Sequence, residues 1–569
     1  MTEWTPKLIQ CLRGYNPRTF LADLIAGITV GLVALPLAMV FAIASGVKPE
    51  AGLYCAVIAG FLVSALGGSR AQIAGPTGAF VVVVSGIVAK YGLEGLYVVT
   101  GIAGALLIVL GATGMGTAVK FIPRPVVVGF TNGIAVIIAS TQIKDFLGLK
   151  IAEVPGSFSG RMAAIAEHLG SYSASATALS VAALVVLILF ARYWKRVPGA
   201  IVVLLAGTAA AALLHLHVET IGSRFGGIQA GLPHLHVPAM QWGLIPTLIS
   251  PALTVALLGA IESLMSAVVA DRMTGDRHNP NVELVAQGVA NVASPLFGGL
   301  PATGAIARTA TNIRSGAKTP VAGIVHALTV LAVLLFAAPL ARFVPLSVLA
   351  AILLMVSYNM GEWHEIPELL KLSKLEITVW LVTFLLTVFA DLTVAVEFGM
   401  VLAALTFIRK VSLTTTVSRV TDAYVDEGRV HILQDKEIPH YATVYRIHGP
   451  FLFGATDKID AVTRHLNELP PIVILRLRNM TAIDSTGLLA LEELADKLHA
   501  SGRKMLLCGA REQPSRMLHQ AEFEQHVGRE NICSNIQEAL ARAQQLFREM
   551  VESGAVPSRR QGEARTQTV

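Results

Sequence analysis

Charge, cysteine and aromatic residues are all scarce in this 569-residue chain: Asp, Glu, Lys and Arg make up 14% of it, Phe, Trp and Tyr 6%, and there are four cysteines. So small a charged fraction excludes an ordinary soluble protein and a disordered one. Cys11, Cys55, Cys508 and Cys533 lie far apart without CxxC or Cys/His ligand spacing, so neither a disulfide framework nor a zinc site is expected, and no metal or cofactor is assigned. The chain lacks a GxxxxGK[ST] run, which excludes a P-loop nucleotide-driven pump, and it lacks a basic patch interleaved with aromatics, which removes nucleic acid as a partner. No catalytic constellation is assigned, and the chain is not expected to be an enzyme. The first residues, MTEWTPKLIQCLRGYNPRTFLADL, carry charges and prolines and no short apolar region with a small-residue cleavage site. They read as a retained cytoplasmic segment rather than a signal peptide.

What the chain has instead is apolar length. The hydrophobic fraction is 54% and the mean hydropathy +0.63. Residues 1–410 hold 25 Lys and Arg and 18 Asp and Glu, against 19 and 20 in residues 411–569, so a membrane part is joined to a water-soluble part. The boundaries expected are a cytoplasmic N-terminal segment 1–20, a membrane domain 21–410, a linker 411–430, a soluble domain 431–550 and a disordered tail 551–569 rich in Arg, Gln, Gly, Ser and Thr. Since a bilayer needs about 20 apolar residues per helix, the stretches 24–45, 51–67, 93–112, 125–142, 176–192, 198–215, 248–270, 319–341, 345–358, 374–391 and 393–410 are expected to cross it. Shorter or interrupted segments at 76–90, 283–298 and 301–313 bring the total to 14. With the N-terminus inside, Arg70, Lys120, Arg124, Arg192, Lys195, Arg196, Arg272, Arg277, Arg314, Lys318, Lys371 and Lys374 fall in cytoplasmic loops. Lys48, Lys90, Lys144, Lys150, Arg161, Arg224 and Arg342 fall outside, a bias that puts both termini in the cytoplasm.

Two short interrupted segments share Pro and then Thr-Gly-Ala: Gly75-Pro76-Thr77-Gly78-Ala79-Phe80 and Leu300-Pro301-Ala302-Thr303-Gly304-Ala305-Ile306. Matching the two threonines sets an offset of 226 residues, which puts Pro36 opposite Glu262 and divides the chain into two halves of seven segments. An odd number per half inverts the second relative to the first, and such paired interrupted segments mark an inverted-repeat transporter with its site at the midplane. Each segment is expected to begin a half-helix whose free N–H groups and positive dipole end face an anion. The residues assigned to anion binding are Thr77, Gly78, Ala79, Phe80, Gly304, Ala305, Ile306, Ala307 and Arg308, the last as a fixed positive charge. The bland alternative for Arg308 is a side chain that reaches out to the interface and anchors its helix.

Glu262 lies at mid-depth in LTVALLGAIESLMSAVVAD, where a carboxylate costs at least ~2.5 kcal/mol and is expected to take a proton or pair with a cation. Ser266, one turn on, shares its face, so the two are assigned to proton coupling. A protonated Glu262 that merely ties two helices together is the alternative. Asp391 and Glu397 read as interfacial. His215, His217, His234 and His236 fall in a Gly/Pro-rich outer loop, where alternating histidines are weak evidence for metal.

Past Lys410 the pattern turns to strands at 443–447, 472–477 and 504–508 alternating with helices at 457–469, 486–500 and 513–521, a small α/β domain. Asp484-Ser485-Thr486-Gly487 sits where a strand gives way to a helix, so Asp484 or Ser485 caps that helix.

Several of these runs together resemble the SulP sulfate permease family of anion transporters: Asp23-Leu24-Ile25-Ala26-Gly27-Ile28-Thr29-Val30-Gly31, Gly75-Pro76-Thr77, Gln142-Ile143-Lys144-Asp145-Phe146-Leu147-Gly148, Leu258-Gly259-Ala260-Ile261-Glu262-Ser263-Leu264 and Ala305-Ile306-Ala307-Arg308-Thr309-Ala310-Thr311-Asn312. The Asp-Ser-Thr-Gly turn is similar to that of the STAS domain, in which the family's phosphorylation position would fall at Ser485 or Thr486. The resemblance implies a helical membrane protein of 14 segments in a seven-plus-seven inverted repeat with two half-helices, a cytoplasmic STAS domain, a homodimer in the inner (plasma) membrane, and a cytoplasmic protein partner at the STAS domain. It implies transport of a small anion, sulfate or a C4-dicarboxylate, with Leu258–Gly275 most similar to the bacterial dicarboxylate branch, which uses proton symport. Sodium-bicarbonate members usually carry Asp and Thr at the positions of Glu262 and Ser266, and no Arg at that of Arg308. The alternatives are a sodium-coupled bicarbonate symporter, an uncoupled anion exchanger or channel, and a receptor-like membrane protein signalling through its soluble part.

Overall fold

A computed structural model describes residues 4–116, 123–152, 154–194, 198–228, 231, 235–237, 242–390, 392–420, 438–459, 462 and 466–554. The chain divides into two compact units, Met1–Ala403 and Ala404–Val569. The first is built from α1 (Pro17–Ala44), α2 (Pro49–Leu66), the two-residue strand β1 (Ala74–Gly75), α3 (Gly78–Ala112), α4 (Arg124–Leu147), the short α5 (Phe158–Glu167), α6 (Ala174–Tyr193), α7 (Gly199–Leu213), α8 (Ile245–Thr274), α9 (Pro280–Leu296), β2 (Thr303–Gly304), α10 (Ile306–Arg314), α11 (Val321–Phe336), α12 (Leu346–Met360), α13 (Lys374–Phe389) and the part of α14 (Leu392–Thr414) up to Ala403. Among the described residues, α1, α2, α3, α4, α6, α8 and the stretch Leu346–Leu369 are long and apolar enough to cross a membrane, while α7 and α11 are shorter apolar helices. Gly92, with φ 70° and ψ −174°, breaks α3 at the gap expected between segments 76–90 and 93–112.

Local chemistry sets the helix ends. Asn16 and Asn279 accept N–H groups of the first turns of α1 and α9, and a proline follows each at the first helical position, where its missing N–H costs nothing. Gly148 and Gly275 close α4 and α8 in the left-handed region, at φ 64° and 73°.

β1 and β2 pair antiparallel, Ala74 with Gly304 and Gly75 with Thr303, so the unwound stretches of the two halves meet as the two rungs of a pseudo-two-fold ladder. This corrects the expected register of the repeat. Gly78 and Ile306, which open α3 and α10, lie 228 residues apart, as do Pro17 and Ile245, which open α1 and α8. At that offset Thr303 and Gly304 are ladder residues, whereas Thr77 and Gly78 form a helix start; the shared Thr-Gly-Ala is a coincidence of composition. The two-fold of the ladder relates Ala74 to Thr303, 229 residues apart, so Val33 or Ala34, not Pro36, stands opposite Glu262. The packing is exchanged between halves: α11 lies along α1 and α2, and α3 lies along α8 and α9.

Non-helical backbone inside a membrane must have every polar group bonded, and here the partners are side chains. Gly304 N donates to Ser263 Oγ (3.0 Å), Ala302 N to Asn291 Oδ1 (2.8 Å), Ile73 N to Thr309 Oγ1 (3.0 Å), and Asn312 Nδ2 to Ala71 O (2.9 Å).

The second unit holds a five-stranded sheet of order β3-β4-β5-β6-β7 (Thr416–Arg419, Ala442–Phe451, Ile472–Ile483, Lys504–Cys508, Ile532–Cys533), antiparallel between β3 and β4 and parallel elsewhere. One face packs Ile447, Leu475 and Leu507 against Leu491 and Leu498 of α15 (Ser485–Ala500); α16 (Glu512–Gln520) follows β6 in the chain. The other face packs Val444, Ile474 and Leu506 against Ala539 and Ala543 of α17 (Ile536–Glu552). The expected linker is corrected over its first ten residues, which are the end of α14 and strand β3, where Val417 sits opposite Ile447. The rest of that linker, residues 460, 461 and 463–465 of the helix expected at 457–469, and the tail from residue 555 lie outside the described residues, as do Asp391 and His234; the described ends of that helix are 3-10 turns, Phe453–Ile459 and Leu466–Glu468.

Candidate functional site

The two half-helix starts meet at a cavity of about 340 Å³. Neither start is closed by a side chain: Thr77 before α3 and Ala305 before α10 make no capping hydrogen bond, so the first-turn N–H groups stay available to a ligand. Thr77 uses its hydroxyl elsewhere, donating from Oγ1 to Glu262 Oε2 at 2.9 Å. Glu262 on α8 is thereby joined to the start of α3 in the other half.

Arg308, on the first turns of α10, is buried with 2% exposure. Its Nη2 donates to the Pro76 carbonyl across the ladder, and its Nη1 is buried without a protein partner. Gly75 makes room for it: the position is at φ 149°, and a Cβ there would stand 2.9 Å from Nη1. Arg308 therefore does not reach out to an interface; it spans the two half-helices, and one of its donors is unused.

Of the anion-binding residues expected from sequence, Thr77, Gly78, Gly304, Ala305, Ile306, Ala307 and Arg308 line the cavity together with Glu262. Ala79 and Phe80 do not. They are buried in the apolar core, Phe80 against Gly259 and Leu107, because the helix turns their side chains away from its mouth. Ser266 is also displaced from its expected role. It is fully buried and shares a 3.0 Å hydrogen bond with Thr309, holding α8 to α10 beside the cavity instead of lining it. The opposite wall was not foreseen: Phe130 and Thr131 of α4, Val356, Asn359 and Met360 of α12, Met400 of α14, and Glu362, whose φ of 44° is unusual for a non-glycine residue. The one sequence signal for these was a polar pair, Asn359 and Glu362, at the end of an apolar run.

Elsewhere, Glu397 accepts from Ser250 Oγ at 2.9 Å, and His236 is bonded to Glu94 at 2.9 Å. Among the described residues no cluster of three or more His, Cys, Asp or Glu could hold a metal. Ser485 and Thr486 are exposed on the first turn of α15, and Asp484 caps that helix, accepting from Gly487 N at 2.8 Å.

Inverted helical halves around uncapped half-helices, followed by an α/β domain, define a multi-pass membrane transporter. The structure of SLC26A9 has this fold, with a TM-score of 0.85 at 18% identity over 96% of this chain and 93% of that one. The transmembrane domain of a cyanobacterial bicarbonate transporter, BicA, superposes with a TM-score of 0.61 at 33% identity over 68% of this chain and 98% of its own. Residues 20–383 match the sulfate permease family and residues 433–539 the STAS domain. The chain is 42% identical over 522 residues to the putative sulfate transporter YvdB of Bacillus subtilis, covering 91% of this chain and 97% of that protein. It is 30% identical over 550 residues to the bicarbonate transporter BicA of a Picosynechococcus species, covering 92% and 95%. The chain belongs to the sulfate permease family: it is an anion transporter of that family and not an enzyme.

Proposed function

We propose that the chain is a secondary transporter that takes up a small oxyanion, sulfate or a C4-dicarboxylate, by proton symport. The anion binds between the uncapped starts of α3 and α10, with Arg308 as its fixed countercharge and Glu262 as the proton carrier. The observation that carries this reading is the pairing of an unused, buried Arg308 donor with the Thr77–Glu262 hydrogen bond on the wall of one cavity. A proton and an anion that share a cavity favour one another by the same free energy, and a few kcal/mol is enough for the loaded carrier to cross with its proton. The relatives named as sulfate transporters favour sulfate. Sodium coupling is disfavoured because Ser266 is committed to Thr309 and leaves Glu262 without a second oxygen ligand on its own helix.

The rest of the reading is a homodimer of 14 membrane segments in the plasma membrane, both termini cytoplasmic, with exposed Ser485 and Thr486 open to phosphorylation or to a protein partner. Proteoliposome uptake of sulfate, bicarbonate and succinate under imposed pH or sodium gradients tests it. Accumulation of sulfate or succinate on an inward proton gradient is expected; accumulation of bicarbonate on sodium alone would replace this reading with the sodium symporter.

A further inference from the structure

A second cavity, of about 730 Å³, is stacked on the first along the same helices. Phe41 of α1, Gly78 of α3 and Thr131 of α4 line the central cavity; Ala44, Ser85 and Thr141 of the same three helices line the second. Along α4 the two are six residues apart at their nearest, from Thr131 to Ile137, or about 9 Å. Fully buried Ile134 and Ile138 belong to the apolar layer at that depth. The second cavity lies at the end of α4 that the charge bias assigns to the outside.

Its charge is one-sided. Among the described residues lining it are Lys90, Lys144, Arg161 and Arg224, against the single acid Asp145. Asp145 is occupied, gripped by Arg224 at 3.0 and 2.7 Å, and Arg224 also holds Glu219, so the excess of positive charge comes from Lys90, Lys144 and Arg161. Arg161, on the short helix α5, is buried with 7% exposure. Its Nη1 donates to Ser140 Oγ and its Nη2 to Gly156 O, both at 2.9 Å, and its Nε is buried without a partner. Burial pushes its guanidinium below the ordinary value, and among the described residues no acid pulls it back. A clamp between Ser140 and Gly156 needs donors, not a charge. A buried cation with only neutral partners is costly, and a charge of opposite sign that enters the cavity removes the cost.

We propose that this cavity is a second anion site, a loading site for a small oxyanion, in which Arg161 supplies the countercharge and a free Nε donor. The excess of positive charge raises the local anion concentration above the apolar layer, and the anion moves on toward Arg308 when that layer parts. The site itself stands without the central-cavity reading; only the handover rests on it.

Selenate, a heavy isostere of sulfate, tests the two sites separately. Anomalous diffraction from crystals of the full chain soaked in selenate should give one peak within hydrogen-bond reach of Arg161 Nε and another beside Arg308. In titration calorimetry, Arg161→Gln should lose one of two selenate sites or weaken it at least tenfold, while Arg308→Gln loses the other. Arg161→Lys, which keeps the charge but cannot make both clamp bonds, should restore binding to within a few-fold of the parent. A peak beside Arg308 alone, or titrations unchanged in Arg161→Gln, overturns the proposal. A peak at Arg161 alone upholds it and removes the central site instead. Absence of both at saturating selenate overturns both. Density in the parent crystals decides the matter even if Arg161→Gln fails to fold.

Discussion

At Glu262 one hydrogen bond joins the two halves of the repeat, because its acceptor sits on α8 and its donor, Thr77, begins α3. A permanently neutral side chain of the same shape should keep that bond and lose the proton. Glu262→Gln should therefore bind the anion with an affinity that no longer varies with pH, and exchange it across the membrane, while concentrative uptake on a pH gradient falls at least tenfold. Uptake and counterflow in the same vesicles separate the two outcomes. The paired variant Arg308→Gln should instead weaken anion binding by about tenfold or more at every pH, since a charge-assisted hydrogen bond is lost.

That Glu262 and Arg308 stand at one cavity was legible in the sequence for the same reason: a charge in an apolar run has few reasons to be there. That Ser266, Ala79 and Phe80 stand away from the cavity was not legible, because spacing reports which face of a helix a residue shares, and not which neighbour that face meets. Phe130, Thr131 and Met400 could not be read at all. They are ordinary residues of apolar helices, brought to the cavity by packing between segments far apart in the chain.

At the scale of elements, helix contacts in a membrane depend on how closely backbones approach. Gly104 of α3 and Gly288 of α9 face one another so tightly that a Cβ on either would stand 2.7 or 2.6 Å from the other's carbonyl oxygen. Gly288→Leu should force this pair apart and lower the melting temperature in detergent by several degrees, or prevent recovery of folded protein; a melt within about 2 °C of the parent would contradict it. The interrupted segments were legible as elements, but their register was not, because the ladder is set by pairing of Ala74 with Gly304 and not by likeness of sequence.

In the sheet of the second unit, burial pushes the Cys508 thiol up to about 12. An unfolded thiol ionises near 8.5, so the folded form holds the proton more tightly between these values. Its contribution to stability is full below about pH 8.5 and is lost as pH rises toward 12. Denaturation midpoints of the STAS part, followed between pH 8 and 11 in the parent and in Cys508→Ala, should fall less steeply with pH in the variant.

Over the whole molecule, every residue lining the central cavity precedes Ala403, the end of the first compact unit. A chain ending near residue 420 should bind anion with an affinity within about threefold of the full chain, while its transport rate or assembly changes. Binding lost by a well-folded truncated protein would mean that the STAS domain contributes to the site. The change at Lys410 from apolar runs to a quarter charged made the two parts legible from composition alone.

The ladder between Ala74 and Gly304 also sets a clock for synthesis. At about 5–20 residues per second, the ribosome reaches Gly304 about 12–46 s after Ala74, and until then the stretch around Gly75 and Pro76 lacks the backbone partner that the ladder gives it. The first half thus enters the bilayer unfinished, with its polar strand and future anion site open to solvent, lipid or the insertion machinery. A nascent chain stalled before residue 300 should be a ready target for quality-control proteolysis, and one released after residue 320 should not.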